Sequence, residues 1–349
     1  MVRTVTERVR SNPTQFGEVE IHPRTLLSQA VDGWTAWLEE HLRPVPELMG
    51  RHGVGFPLAT AEIDFPRPHT FLAATSFTRE TAVVFRRPRD VTVTCDTVFR
   101  AGSGRAGSDR AGSGRAGSGR GGDGAGRGVG VGDGDGDGGV FARVRLTATV
   151  SRFAPGTLVG AALGPLPAEL LALLGPDERG ADRRHSTVAD RVARLEAAAE
   201  RLAPDHHRTV TAHRHLCEPG DQWTFVPVPD LLAESREALL LAAEATDPQL
   251  LGTLALGHRE LAFDLHQPLG LLETARVTTT AYRDADGPAF VHRVTSARGE
   301  PHALAVETLR GAGTPRAPRT ARAAQNPEGR RDVRSPENLE TVTPGGPRW

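Results

Sequence analysis

The stretch HPRTLLSQAVDGW at residues 22–34 has a counterpart, VPDLLAESREALL, at residues 228–240. Each places a proline near the start of an apolar repeat with helical spacing. In the first turn of a helix the missing proline N–H costs nothing, because that N–H would have no partner within the helix. The two stretches therefore predict one long helix in each half of the chain.

Strand-like sequence follows both predicted helices at a similar distance. Residues 61–68 (AEIDFPRP) and 261–268 (LAFDLHQP) alternate and end in proline, and further alternating sequence covers residues 92–150 and 275–309. The order in each half is a short strand, a long helix and several antiparallel strands, so the pattern indicates a duplication. A helix beside a curled antiparallel sheet must bury its apolar face on that sheet, which predicts an α+β fold.

An insertion interrupts the first half at residues 101–139, with Ala-Gly-Ser-Gly-Arg repeats followed by Gly-Asp alternation. It has almost nothing apolar to bury, so we expect it to be disordered. The flanking residues 90–100 (DVTVTCDTVFR) and 140–150 (VFARVRLTATV) alternate as antiparallel strands do. We therefore interpret the insertion as an expanded hairpin loop, since loop-closure entropy grows only slowly with length.

These features divide the chain into four parts. The first unit is predicted over residues 1–175 and contains the insertion, and the second over residues 205–310. Residues 176–204 are predicted to contain a linker helix, because the apolar residues between 188 and 202 have helical spacing. Residues 311–349 are rich in Pro, Arg and Gly, which predicts a disordered tail.

Charge composition excludes several classes of protein. Lys and Arg total 42 against 43 Asp and Glu, for a formal net charge of -1, so no strong field attracts polyanions and we expect no nucleic-acid partner. Every basic residue is Arg. Without lysine the chain cannot form a lysine Schiff base or supply a phosphate-loop lysine, which excludes pyridoxal enzymes and P-loop NTPases.

The two cysteines, Cys95 and Cys217, form no Cys-x-x-Cys pair and cannot build a disulfide framework. No apolar run approaches the roughly 18 residues of a spanning helix. The first residues also lack the apolar core of a signal peptide. We therefore expect a cytoplasmic protein without a membrane partner.

The chain resembles the hotdog-fold acyl-CoA thioesterases of the 4-hydroxybenzoyl-CoA thioesterase type. The first half carries the resemblance in RVRSNPTQFGEVEIHPRTL (residues 8–26), WTAWLEEHL (34–42) and RHGVGFPLATAEIDFPRP (51–68). The second half is similar in HRHLCEPGDQWTFVPVPDLLAESREALL (213–240) and RELAFDLHQP (259–268). The resemblance implies a double hotdog, in which each of two long central helices is wrapped by a curved antiparallel sheet and the two copies imitate a dimer.

The resemblance also implies where chemistry takes place. Family members hold the thioester carbonyl near the N-terminus of the central helix, where free backbone N–H groups stabilise an oxyanion and a carboxylate activates water. In the first half Gln15 stands where many relatives carry the aspartate, and an amide can orient water but cannot take its proton. Glu18, Glu20 and His22 lie in the same loop and could supply a base from a shifted position. The structural alternative is that the acids are solvated and His22 only packs at the helix entry.

The corresponding loop of the second half contains Glu218 and Asp221. Either could be the carboxylate that the first half lacks. A surface turn accounts equally well for Glu-Pro-Gly-Asp, because Pro, Gly and Asp are ordinary turn formers. Since hotdog sites lie between two copies, a degenerate duplicate could keep one site and lose the other. We rank His22 and Asp221 first, because each lies close to its helix start.

Arginines could bind the phosphates of a carrier. Coenzyme A and phosphopantetheine carry phosphates, and Arg67, Arg86, Arg87 and Arg89 could pair with them bidentately. The alternative is a solvated edge strand kept soluble by its charge.

Two further groups of side chains invite a functional interpretation. His213, His215 and Cys217 fall at period two on a predicted strand and would share one face, which could favour zinc or a cysteine nucleophile. Side chains spaced along a straight strand lie about 6 to 7 Å apart, too far for a tetrahedral site, so we expect no metal. Asp64 and Asp264 recur in the repeated strands, where a structural role competes with a site-facing carboxylate.

These considerations favour an α+β double hotdog that hydrolyses acyl thioesters of coenzyme A or of an acyl carrier protein. Coenzyme A enters only as part of the substrate, and no other cofactor is expected. Dehydration, decarboxylation or acyl transfer on acyl thioesters are alternatives within the same fold. A non-catalytic acyl-binding or scaffold protein also stays open because of Gln15, as does assembly into a homo-oligomer.

Overall fold

The computed structural model describes residues 2–73, 75–87, 91–102, 139–153, 163–181, 187–217, 223–245, 247–285 and 287–310. The predicted loop at 103–138 and the predicted tail at 311–349 lie outside them.

The first half contains one long helix and the strands of half a sheet. Its elements are β1 (Thr4–Arg10), α1 (Pro23–His41), α2 (Val45–Gly50), β2 (Val54–Gly55), β3 (Leu58–Asp64), β4 (Ser76–Arg87), β5 (Thr92–Ala101), β6 (Val140–Thr149), β7 (Ser151–Arg152), α3 (Ala168–Leu171) and β8 (Arg179–Ala181).

The second half repeats the arrangement after a shorter helix. Its elements are α4 (Val188–Ala198), β9 (Glu200–Arg201), β10 (His206–Thr211), α5 (Val228–Ala243), α6 (Pro248–Leu251), β11 (His258–Leu265), β12 (Thr274–Asp284), β13 (Gly287–Ser296) and β14 (Pro301–Leu309). The helices expected at residues 22–34 and 228–240 are therefore present as α1 and α5.

One large sheet runs through both halves. Its strand order is β1-β4-β5-β6-β3-β11-β14-β13-β12-β10, so the order of the second half mirrors that of the first. The two halves join where β3 pairs antiparallel with β11, with Glu62 opposite Ala262. The pairing is antiparallel along this path, and the short β8 adds to β4 in parallel. The coarse α+β prediction agrees with this architecture.

The correspondence between the two halves extends to individual backbone hydrogen bonds. Before α1, the N–H of Ile21 donates to the carbonyl of His69 at 3.1 Å, and before α5 the N–H of Trp223 donates to the carbonyl of Leu269 at 2.8 Å. Each bond ties the segment that precedes a long helix to the loop that follows a central strand. Two further pairs of bonds match in the same way: Ser11 to Thr75 with Ala212 to Glu273, and His22 to Gln15 with Thr224 to Leu216.

Both long helices bury an apolar face on their own half of the sheet. The buried positions of α1 include Leu27 and Trp37, and those of α5 include Leu232 and Leu240. Gly33 lets α1 approach β4 closely, because a Cβ there would collide with the hydroxyl of Thr81. The packing follows from apolar residues three and four positions apart, which share one face of a helix.

Helix α4 lies on the opposite face of the sheet. A Thr187 capping box begins it, and Val192 and Leu195 bury their side chains against Val291 and Val306 of the second half. The segment predicted to be a linker therefore contributes to the core. The domain boundaries around it stay a prediction.

The strand predicted through residues 213–217 is wrong. Strand β10 ends at Thr211, and Arg214–Leu216 form a single 3-10 turn that mirrors the turn at Pro13–Gln15. The turn lets the chain leave the sheet edge and cross towards α5.

We expect the insertion to be dispensable. Strands β5 and β6 pair to their ends, and the N–H of Ala101 donates to the carbonyl of Gly139 at 2.9 Å, so the two ends of the loop already meet. An Asn-Gly turn replacing residues 102–138 should leave the melting temperature and activity nearly unchanged. A loss of more than about 3 kcal/mol in the free energy of unfolding would show that the segment belongs to the core.

Candidate functional site

A cavity of about 360 Å³ lies between the two halves, where β3 begins and β11 ends. Strands β3 and β11 run antiparallel, so residues from both halves meet at this edge of the sheet. The lining is mostly apolar, with a few polar groups. It comprises Phe56, Pro57, Leu58, Ala59, Thr149, Trp223, Thr224, Phe225, Val228, Leu265, His266, Gln267, Pro268, Leu269 and His302. We call this the inter-half cavity.

Local backbone features shape the cavity. The register of β3 against β6 shifts between Leu58 and Thr60, which marks a bulge beside the cavity. A bulge re-aims side chains at the end of a strand. On the other side, the segment before α5 is fixed by the bond from Trp223 to the carbonyl of Leu269. The walls are thus set by backbone hydrogen bonds from both halves.

Two polar atoms in the wall have no hydrogen-bond partner among the described residues. One is Nε2 of His302, a side chain only 5% exposed, and the other is Nε1 of Trp223. Nδ1 of His302 lies 3.2 Å from the carbonyl oxygen of Gln267. A carbonyl oxygen can only accept, so Nδ1 carries the proton in the neutral ring and Nε2 is left as an acceptor. The indole Nε1–H can only donate.

The first turn of α5 offers few free N–H groups to a ligand. The N–H groups of Val228, Asp230 and Leu231 already donate to the carbonyls of Phe225 or Pro227, and Pro229 has none. Asp230 further pairs with Arg24 of α1 at 2.7 Å. This differs from the arrangement that the resemblance implies, in which free helix amides hold the thioester carbonyl.

The equivalent region of the first half holds a buried carboxylate–histidine pair. His258 begins β11 as Leu58 begins β3, and the carboxylate of Glu20 accepts from its backbone N–H at 2.6 Å and lies 2.8 Å from its Nδ1. Phe65 stacks on the same imidazole, with ring centroids 5.5 Å apart. The buried Glu20 therefore links the loop before α1 to the second half. No sequence pattern predicts this pair, because its members are 238 positions apart.

The pair continues into a buried charged cluster. Nε2 of His258 lies 3.2 Å from Arg236 and 3.8 Å from Glu307, and Arg236 also pairs with Glu307. His292 lies on the far side of Glu307, with Nε2 3.6 Å from that carboxylate. A neutral His258 accepts from Arg236 at Nε2, and a protonated His258 faces Glu307.

Burial and charge act in opposite directions on these groups. Burial alone would lower the pKa of His258, but its hydrogen bonds to Glu20 and Glu307 outweigh burial and raise the pKa above its usual range. Burial lowers the pKa of His292 to about 4. Burial would raise the pKa of Glu307, but Arg236 and the two histidines hold it well below its usual range. In this cluster the negative charge of Glu307 is therefore in direct contact with the positive charge of Arg236.

The four first-half candidates occupy different settings. The side chain of Gln15 accepts from the N–H of Asn12 at 2.8 Å and caps a 3-10 turn. Glu18 is exposed in the loop. His22 is the exposed N-cap residue of α1, makes no side-chain capping bond and packs over Gly17. Of the acids proposed for this loop, the buried one is Glu20. A catalytic role for Gln15, Glu18 or His22 stays a prediction.

Glu218 and Asp221, the second-half candidates, lie outside the described residues. The residues on either side of them are described. Cys217 and Trp223 form an isolated antiparallel β-bridge, as Phe16 and Ile21 do in the first half. The two predicted loops are therefore bracketed by equivalent pairs, and the roles of the acids stay predictions.

The candidate phosphate-binding arginines are not brought together. Arg67 follows β3 and lies near Gly139, at one end of the β4–β5 pair. Arg86 donates to Thr94 at 3.1 Å at the other end, nine strand residues away, which is about 30 Å. The side chain of Arg87 and the whole of Arg89 lie outside the description. A phosphate-binding role for Arg67, Arg86 or Arg87 stays a prediction, with separate sites for the first two.

The remaining candidates show no metal site. The rings of His213 and His215 stack 6.1 Å apart, and the described residues contain no group of three or more His, Cys, Asp or Glu that could hold an ion. The thiol of Cys217 donates to the carbonyl of His213 at 3.5 Å, and a nucleophilic role for it stays a prediction. Cys95, the other cysteine, is fully buried, and burial raises its pKa to about 12, so its thiol is a poor nucleophile. Asp64 and Asp264 project from the sheet face opposite the long helices, away from the inter-half cavity.

Known structures share this fold. The chain has a TM-score of 0.58 and 11% identity to a protein assigned as an oleoyl thioesterase from Lactobacillus plantarum, covering 89% of this chain and 97% of that one. The chain has the hotdog fold. It also matches a 12:0-ACP thioesterase from Umbellularia californica (TM-score 0.56, 8% identity, 88% and 94% covered). A third match is an acyl-ACP thioesterase from Bacteroides thetaiotaomicron, with a TM-score of 0.51 and 8% identity, covering 88% of this chain and 98% of that one.

Sequence comparison finds less than structure comparison. No protein-family model and no curated protein sequence matches the chain. At these identities the hotdog likeness concerns the fold. Within the described residues, no helix of this hotdog chain has both the length and the apolar character to cross a membrane.

We expect Glu20→Gln to lower the free energy of unfolding by about 1.5–3 kcal/mol near about pH 6, the usual contribution of a hydrogen bond to a charged group. The pKa of His258 is higher in the folded protein than in the unfolded chain, where it is about 6.5. The contact of protonated His258 with Glu20 therefore contributes its full stabilisation of the fold below about pH 6.5 and loses it as pH rises through the folded pKa. The deficit of the variant should therefore shrink above about pH 6.5. Urea unfolding across this range measures it.

Glu18→Gln is the matched control for this variant. It removes an exposed carboxylate two residues away in the same loop, and it should leave the unfolding free energy unchanged at every pH. A deficit for Glu20→Gln that is constant with pH would contradict the role assigned to the His258 contact.

Proposed function

We propose that the chain is a double hotdog that hydrolyses acyl thioesters of coenzyme A or of an acyl carrier protein. The mirrored strand order and the matching hydrogen bonds before α1 and α5 support two copies of one unit. The thioesterases that share the fold favour a thioester as substrate. Coenzyme A or the carrier protein belongs to the substrate, and the reaction uses no further cofactor.

The single observation that carries this proposal is the inter-half cavity. Apolar side chains from both halves, such as Phe56, Leu58, Phe225 and Leu265, form most of its wall. An acyl chain that packs against such a wall gains roughly 25 cal/mol of binding free energy for each Å² of apolar surface that leaves water. The polar groups of His302 and Trp223 in the same wall can then meet the one polar group of an acyl thioester, its carbonyl.

Two hotdog units need not provide two sites. The first-half counterpart of the cavity holds the Glu20–His258 pair, with Phe65 stacked on the imidazole. We therefore assign hydrolysis to the inter-half cavity beside α5. The free thiols of Cys95 and Cys217 agree with a reducing cytoplasm as the location.

A non-catalytic acyl-binding protein is the second candidate. The observation that favours it is Gln15, which caps a turn where many hotdog thioesterases carry an acid. Both functions use the same cavity, so only turnover separates them.

Filling the cavity should abolish either function without unfolding the protein. We expect Leu58→Trp to lower the hydrolysis of acyl-CoA and acyl-carrier-protein substrates, followed as free thiol, at least tenfold at an unchanged melting temperature. Leu72→Trp is the control, because Leu72 is 92% exposed. Bound acyl-CoA without thiol release by the wild type would favour the binding protein. Full turnover by Leu58→Trp would show that the substrate binds elsewhere.

The candidate bases can be tested one at a time. We propose His22→Gln, Glu18→Gln, Glu20→Gln, Glu218→Gln and Asp221→Asn. Loss of a general base should lower turnover about a hundredfold or more at an unchanged melting temperature. Glu20→Gln should instead lower the melting temperature, because Glu20 is buried in contact with His258. Unchanged turnover in all five variants would show that the base lies elsewhere, with Gln15 orienting water at most.

A further inference from the structure

We propose that Trp223 and His302 act on the reacting thioester itself, with Nε1–H of Trp223 holding the carbonyl oxygen and Nε2 of His302 taking a proton from the attacking water. This inference rests on the proposed function, because it assigns residues within the inter-half cavity.

The ring of His302 is held in the tautomer that a general base needs. Its Nδ1–H donates to the carbonyl of Gln267 at 3.2 Å, and the lone pair of Nε2 has no partner among the residues that the structure describes. A buried acceptor without a partner is destabilising, because the hydrogen bonds that it made to water in the unfolded chain are not replaced. A water molecule that donates to Nε2 removes this cost and is oriented by the same bond.

Trp223 supplies the complementary group. Its backbone N–H donates to the carbonyl of Leu269, so the residue is fixed at the entrance to α5, while its indole N–H has no partner in the part of the chain that the structure describes. An indole can only donate, and the oxygen of a thioester carbonyl can only accept. Since the first amides of α5 are already used, this donor replaces the helix N-terminus as the group that meets a developing oxyanion.

The first half lacks both groups at the equivalent positions. The hydrogen bonds before the long helices match Trp223 with Ile21, and the strand registers match His302 with Phe141. Ile21 and Phe141 are both buried and apolar. Among the described residues the first half also buries polar atoms without a hydrogen-bond partner, such as Oε2 of Glu20 and Nε2 of His69. What distinguishes Trp223 and His302 is that both line the inter-half cavity.

The chemistry balances with water as the only co-reactant. The water oxygen bonds to the carbonyl carbon as its proton passes to Nε2 of His302, and the carbonyl oxygen becomes an oxyanion held by Trp223. The oxyanion then reforms the carbonyl, the carbon–sulfur bond breaks, and the imidazolium returns the proton to the thiolate. The products are a carboxylic acid and a thiol. Both polar atoms are shielded from solvent, so their contacts form as substrate enters, as catalytic hydrogen bonds often do.

His302→Asn tests the base, because the asparagine amide can replace Nδ1–H at the Gln267 carbonyl while Nε2 is lost. We expect kcat to fall about a hundredfold or more, with KM and the melting temperature nearly unchanged. His69→Asn is the control, since His69 is a buried histidine with an unpartnered Nε2 in the first half. It should keep the wild-type kcat. A wild-type kcat for His302→Asn would overturn the assignment.

Trp223→Phe tests the donor without requiring turnover. We compare the binding of two coenzyme A derivatives, a ketone in which CH2 replaces the thioester sulfur and an alkyl thioether without the carbonyl. Wild-type protein should bind the ketone roughly 2- to 10-fold more tightly, the effect of one hydrogen bond, and Trp223→Phe should lose this preference. Trp34→Phe is the control, because Nε1 of Trp34 is likewise buried and has no partner among the described residues.

The two arms separate the inference from the proposed function. Thiol release that survives both substitutions refutes the inference and leaves hydrolysis standing. Absence of thiol release by the wild type refutes hydrolysis and the role of His302 as a base. In that case the ketone preference decides whether Trp223 holds the carbonyl, and its absence would refute that contact as well.

Discussion

The pairing of β3 with β11 is the constraint on which the rest of the molecule depends. It joins two half-sheets into one and places the start of each central strand beside the end of the other. Each edge of this junction is then covered by a segment that precedes a long helix. The antiparallel geometry thereby creates two equivalent places where residues from both halves meet, and both the inter-half cavity and the Glu20–His258 pair occupy such a place.

These two places have taken opposite chemical characters. One contains carboxylates, histidines and an arginine in mutual contact, whose desolvation is offset only while all partners are present. The other has mostly apolar walls, and one donor and one acceptor in its lining have no partner within the described ranges of the chain. A charged cluster fixes one arrangement, whereas unpartnered groups beside a cavity gain from a ligand. This contrast explains why we assign chemistry to the second place.

The local parts of the fold could be predicted from the sequence, and the non-local parts could not. Helices α1 and α5 and the β5–β6 hairpin follow from apolar periods and adjacent alternating stretches, which need no distant partner. The strand expected at His213 was wrong because the alternation there belongs to a 3-10 turn. No sequence pattern indicates His302. Its tautomer is set by the carbonyl of Gln267, and it shares the cavity lining with Trp223, and both residues are distant from it in the sequence. The candidate carboxylates came from a resemblance, and spacing alone could not choose among them.

The covalent connection between the two halves has a consequence for how their sites can change. In a symmetric pair of identical chains, any substitution appears in both copies, so a histidine gained at one site is gained at the other. In this chain His302 and Phe141 occupy matching positions and are encoded separately. A mutation can therefore change one site without changing the other. One site can acquire reactive groups while the other acquires contacts that hold the two halves together, which is impossible in a dimer of identical chains.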